Sequence, residues 1–276
     1  MTRYPVIRTV WQTLHFVVRR APAILGAVAI PFLAGWIVLY WSLGEFLDQL
    51  GQAAEVPGDR VRTLALGIMA AGLVLAIFIK CIAVLAVTEI AGEEEPRFQL
   101  RFRIDRSQWR LFAANLRLSV LLLFLIFLER IYAGWLDQMH LVNFYAGLSK
   151  LLMSVFFVYL ILVLGFFMPP VVVHERGAIV RRSVNLFRKS PGAIFAIVAL
   201  LLVPGWLADT VVELGMSLLG VLPVMSVKGP LAERMDDVRN ILPQFLTAAL
   251  AAYTVSMTLM TVAATRLYRQ HLTDSR

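Results

Sequence analysis

Two cations, Lys80 and Arg117, stand inside apolar stretches of this 276-residue chain, and any chemistry in its interior starts with them. A charge within a bilayer is costly and tends to mark function. Counting along a helix, Lys80 lies about 24 Å from Leu64 in the second apolar stretch, and Arg117 about 9 Å from Leu111 in the third. With antiparallel neighbours, both fall toward the cytoplasmic leaflet. Two cations there fit a phosphate group, the arginine supplying a two-pronged fork. The bland alternative is that each snorkels independently, or that Arg117 pairs with Glu89. Asp209, Glu129 and Arg130 fall at the outer rim, which leaves the midplane without charge in this count. Proton-coupled carriers generally need ionisable groups at that depth.

Further cations cluster in the connections, where Arg19, Arg20, Arg181, Arg182, Arg188 and Lys189 are candidates for holding lipid headgroups. In the last apolar stretch Thr247, Thr254, Thr258, Thr261 and Thr265 share one helical face with Ala251. Small hydroxyl residues let helices approach closely and bond across the contact, so a helix-packing face is expected. A polar pore lining would show the same pattern. The run Glu93–Glu95 has no spaced ligand set, and His15, His140, His174 and His271 are scattered. We therefore expect no catalytic residues, no metal ligands and no cofactor. Cys81, the single cysteine, precludes an intramolecular disulfide.

The elements that position these residues follow from hydropathy. Hydrophobic residues make up 59% of the chain and charged ones 16%, against about 25% charged in soluble domains. Six apolar stretches run over Ala21–Leu43, Leu64–Ala91, Leu111–Leu128, Leu151–Val173, Ala193–Leu219 and Ile241–Leu267. Each reaches or approaches the roughly 20 residues a transmembrane helix needs. The expected fold class is all-α, a polytopic bundle of about six transmembrane helices forming a single integral membrane domain over residues 1–276. The N-terminus and the second, fourth and final polar segments hold 17 Lys and Arg, and the other three hold 7. The positive-inside rule then puts both termini in the cytoplasm. That bias accounts for the basic composition without nucleic acid as a partner. Arginine outnumbers lysine 22 to 4, which points to a GC-rich bacterial genome and hence a bacterial inner membrane.

Residues 1–20 read as an interfacial amphipathic helix, with Ile7, Val10, Trp11, Leu14, Val17 and Val18 on one side and basic residues opposite. Similar basic, aromatic-bearing segments precede the third stretch (Arg106-Ser-Gln-Trp109-Arg110) and the fifth (Arg181–Pro191). Three hairpins, over 21–91, 97–173 and 177–267, would then repeat one plan.

The segment Gly177-Ala-Ile-Val-Arg-Arg-Ser183-Val-Asn-Leu186-Phe-Arg188 resembles an element of a loose bacterial group of six-helix membrane proteins. That group includes YciC-like proteins and the membrane domain fused to some glycerophosphoryl diester phosphodiesterases. The resemblance implies the six-helix topology and argues against an enzyme, because catalysis in the fused members is expected from a separate soluble barrel. The expected function is a non-catalytic inner-membrane protein that organises anionic lipid or serves a membrane complex. Its partners would be anionic membrane lipids, and a membrane-protein partner or a second copy of itself. The alternative is a transporter or flippase-like carrier of an amphiphile, and the third reading is a lipid-modifying membrane enzyme.

Overall fold

The computed structural model describes residues 5–55, 59–93, 98, 100, 104–138, 155–156, 159–175, 177–218 and 231–274. Among the described residues the chain is helical and contains no strand. Helix α1 is Val6–Arg19, α2 Ala21–Glu55, α3 Asp59–Gly92 and α4 Arg106–Gln138. An apolar helix Tyr159–His174 is α5, with a turn at Phe166 and Phe167 setting off its last part, Met168–His174. Helix α6 is Ile179–Phe187, α7 Pro191–Leu218 and α8 Leu231–Asp274.

Four segments are long and apolar enough to cross a membrane: Ala21–Gln49, Thr63–Gly92, Arg106–Leu125 and Val238–Thr273. A fifth crossing results when α7 is taken with α6, from which it turns by 95° at Ser190. The chain is thus a multi-pass helical membrane protein. The expected stretch Leu151–Val173 lies partly outside the described residues. Its described part, α5, is by itself shorter than the roughly 20 residues a crossing requires.

The helices outrun the apolar stretches. Helix α2 continues past Leu43 to Glu55, and α3 begins at Asp59, ahead of Leu64. Glu, Leu, Gln and Ala favour helix in this region, and an isolated Gly44 or Gly51 costs only about 1 kcal/mol. Polarity ends the membrane core there without ending the helix. The second expected unit also differs from the other two. Arg106–Phe112 is the opening of continuous α4 rather than a separate amphipathic helix. An Asp105–Gln108 capping box starts it. The Asp105 carboxylate accepts from the Ser107 and Gln108 amides at 2.8 and 3.2 Å, and Gln108 Oε1 accepts from the Asp105 amide at 3.0 Å.

Among the described residues, many of the buried side chains lie toward the end where α1, α6 and the starts of α4 and α7 gather. There Ala27 of α2, Ala83 and Val87 of α3 and Val262 of α8 are buried together, and Phe167, Phe187, Ile194 and Leu267 close a second cluster. Helix α8 is the central post, touching α1, α2, α3, α5 and α7. Toward the opposite end α2 and α3 meet at Gly72, where an added Cβ would overlap the Ser42 hydroxyl. That contact lets the two backbones approach, as small residues do in membrane helices. Outward, Leu33, Ile37, Trp41, Leu66, Leu121 and Phe124 are exposed. A surface of that kind is stable against lipid, not against water.

Candidate functional site

The two short amphipathic helices sort their faces differently from a simple apolar-in arrangement. On α1, Val6, Val10, Leu14 and Val17 pack on the core with the buried Thr9 and Thr13. Ile7, Trp11 and Val18 are 81%, 70% and 75% exposed, and they share that outer side with Arg8, His15 and Arg19. The six apolar residues grouped by spacing therefore divide into a protein-facing and an outward-facing strip. Helix α6 buries Ser183, Leu186 and Phe187 and turns Arg181 and Asn185 outward, with Arg188 just beyond its end. An apolar strip flanked by arginines is the surface of a helix lying in a headgroup layer.

The other basic candidates are engaged within the protein. Arg182 Nε donates to Glu175 Oε1 at 3.0 Å, an ion pair with partly exposed side chains. Lys189 Nζ lies 2.7 Å from His271 Nε2. Arg20 is half-buried between α1 and α2.

Between the two amphipathic helices sits a polar node that charge counting alone passes over. Tyr268 of α8, almost fully buried, donates its hydroxyl to Glu175 Oε1 at 2.9 Å. Arg110 of α4 reaches the carbonyls of Val172, Glu175 and Gly177 at 3.4, 2.9 and 3.4 Å. Carbonyls at a helix C-terminus lack intrahelical donors, and Arg110 supplies one to Val172 in the last turn of α5 and to its cap residue Glu175. His174 stacks on Tyr268 at 5.4 Å and 7°. Burial, then the nearby Arg269, holds its imidazole below the ordinary range against the opposing pull of Glu175. Arg266 donates to the Gln12 carbonyl at 2.8 Å and sits 5.5 Å from the Phe16 ring, fastening α1 to α8. These contacts tie α1, α4, α5, α6 and α8 together at one end.

The groove that Lys80 lines does not include Arg117. Side chains on a helix tilt toward its N-terminus. Arg117 on α4 is exposed and leans toward the basic end. Lys80 on α3, which runs the opposite way, leans away from it, and its ammonium rests 5.5 Å from the ring centroid of Tyr253 on α8. Tyr253 lies about 24 Å along α8 from Arg269, whose guanidinium approaches Gly92 at the end of α3. Lys80 therefore points into the interior of the apolar region instead of back to the cationic surface. It lines a groove of about 250 Å³ between α2, α3 and α8, with Phe32, Gly35, Ile79, Tyr253 and Thr254 among its walls. Glu89 lines a small polar cleft with Asp105, Ser107 and Gln108.

The threonine face is divided by depth. Thr258, Thr261 and Thr265 are buried, and the Thr265 hydroxyl donates to the Thr261 carbonyl of its own helix at 2.7 Å. Thr254 lines the groove. Thr247 accepts from Trp36 Nε1 of α2 at 3.1 Å and donates to the Pro243 carbonyl at 2.7 Å. Glu94, Glu95, Arg97, Arg101 and Arg103 lie outside the described residues. Comparison with protein-family models, with curated proteins and with solved structures returns no match for this chain.

Proposed function

We propose that this is a non-catalytic, six-span bacterial inner-membrane protein with both termini cytoplasmic, whose basic end gathers anionic lipid headgroups. The observation that carries the reading is the outer surface of α1 and α6. On α1 exposed Arg8 and Arg19 accompany exposed Ile7, Trp11 and Val18, and α6, whose Leu186 and Phe187 join the same core cluster as Val6 and Val10, adds exposed Arg181 and Arg188. The positive-inside bias of the sequence gives this basic end its cytoplasmic side. Apolar side chains then enter the acyl boundary while the guanidinium groups meet phosphates. The node around Glu175 serves this role indirectly, by holding the two interfacial helices at fixed positions on α5 and α8. The six-helix plan also suits the bacterial group that Gly177–Arg188 resembles. A membrane-complex partner, or a second copy of the chain, would dock on the same lipid-ringed bundle.

Each basic residue near an anionic surface contributes about 1 kcal/mol at most. The four arginines together supply no more than about 4 kcal/mol at low salt, fading within a Debye length of ~10 Å at 0.1 M. The test is native mass spectrometry of lipid retained by the purified protein. Phosphatidylglycerol and cardiolipin should exceed phosphatidylethanolamine on the wild type, and the excess should shrink in high salt. Changing Arg8, Arg19, Arg181 and Arg188 to Gln should remove most of it. Equal anionic-lipid retention by the quadruple variant at low salt would refute the reading.

A further inference from the structure

We infer that the groove between α2, α3 and α8 is a binding site for a single-chain anionic amphiphile, with an oxyanion paired to Lys80 and an acyl chain along the apolar wall. This site is separate from the headgroup surface of α1 and α6 and does not depend on that reading.

Charge complementarity selects the occupant. Among the described residues Lys80 has no acidic partner, and the ring of Tyr253 is what its ammonium meets. A ring face offsets only part of the cost of holding an ammonium in apolar surroundings. An oxyanion on a lipid-soluble tail completes the pairing, and the Thr254 hydroxyl on the same wall offers it a second donor. A cationic or neutral amphiphile would leave Lys80 as it is.

Size and access narrow the choice further. The groove holds about 250 Å³, below the roughly 300–1,000 Å³ of sites that enclose a whole ligand. One acyl chain fills it, with any remainder of the ligand in the bilayer, and a single-chain amphiphile is the smallest occupant that brings both tail and oxyanion. Tyr253 is 45% exposed at the margin, so entry is sideways from the membrane. A fatty-acid carboxylate and a lysophospholipid phosphate share this chemistry.

The experiment is scintillation-proximity binding of radiolabelled oleate to the full chain in neutral maltoside micelles at high salt. Unlabelled oleate, oleoyl lysophosphatidate and neutral monoolein serve as competitors. Saturable oleate binding, or specific displacement by lysophosphatidate, supports the site, and the better competitor identifies carboxylate or phosphate. Lys80→Gln should weaken binding roughly tenfold to hundredfold, the range for a hydrogen bond to a charged group. Lys80→Arg should retain it.

A second variant keeps the test independent of Lys80→Gln folding. A Cβ at Gly35 meets only Ile79, at 3.8 Å, so Gly35→Leu should project into the groove and block binding with the charge intact. The Arg8, Arg19, Arg181 and Arg188 to Gln variant should bind oleate like the wild type, which separates this site from the lipid-facing surface. The inference is overturned by monoolein competing as well as oleate, by unchanged affinity in both Lys80→Gln and Gly35→Leu, or by no saturable binding.

Discussion

Replacing Glu175 by Ala removes one carboxylate from two partners at once, and the structure sets how unequal the two losses are. The Arg182 pair is partly open to solvent, with side chains 42% and 27% exposed, so screening reduces it to about 0–1 kcal/mol. The Tyr268 hydroxyl is the larger loss. Tyr268 is 1% exposed and donates to Glu175 at 2.9 Å, and a buried donor left without its acceptor costs about 1–3 kcal/mol. Glu175→Ala should therefore destabilise the fold by about 2–3 kcal/mol. Tyr268→Phe, which removes the donor as well as the need for an acceptor, should cost about 1 kcal/mol. In the Phe background, Glu175→Ala should then cost about 1 kcal/mol or less, because only the exposed pair remains to be lost. The assay is equilibrium unfolding by SDS in mixed micelles, followed by tryptophan fluorescence for all four proteins. The double-mutant cycle should show a coupling of roughly 1–2 kcal/mol. Equal losses from Glu175→Ala in both backgrounds would refute the node as a linkage between α5 and α8.

At the α2–α3 crossing, Gly72→Val should cost about 1–3 kcal/mol by forcing the hairpin apart at Ser42. Gly67→Val, where an added Cβ has open space, should be close to neutral in the same unfolding assay. Arg110→Lys should destabilise nearly as much as Arg110→Ala, since a single ammonium cannot serve the three carbonyls that the guanidinium spans. Trp36→Phe should lose the bond to Thr247 and about 0.6 kcal/mol, a typical interhelical value in a membrane. Cysteine at Gly177 should react with an impermeant maleimide only after the cells are opened, and cysteine at Gln52 or Lys228 in intact spheroplasts.

Much of the fold is visible in the sequence because membrane helices are apolar on every side, a signal that survives without any partner. The limits of α2, α3 and α8 are not visible that way, since their polar ends stay helical beyond the hydrophobic core. The amphipathic pattern of α1 identifies an interfacial helix, but pattern alone does not tell Val10, which packs on the core, from Trp11, which faces outward. That distinction depends on what α7 and α8 bring beneath it.

Glu175 and Arg110 are legible as charges next to apolar stretches and nothing more. Their joint role requires the end of α5 to meet the start of α4, some 65 residues apart in sequence. For Lys80 the direction was legible in principle, because helix polarity and the N-terminal tilt of side chains turn it away from the basic end. Its neighbour Tyr253 was not, because the register between α3 and α8 is fixed only by packing. The Asp105–Gln108 spacing is a capping signal the sequence does carry, and it marks the start of α4.

Extraction into polymer-bounded native discs tests, without detergent, whether the cationic end of this bundle selects anionic lipid. The ratio of phosphatidylglycerol plus cardiolipin to phosphatidylethanolamine in discs holding the wild type should exceed the ratio in the bulk membrane. Discs holding the Arg8, Arg19, Arg181 and Arg188 to Gln variant should return to the bulk ratio. A wild-type ratio equal to that of the bulk membrane would contradict selection of anionic lipid by that end.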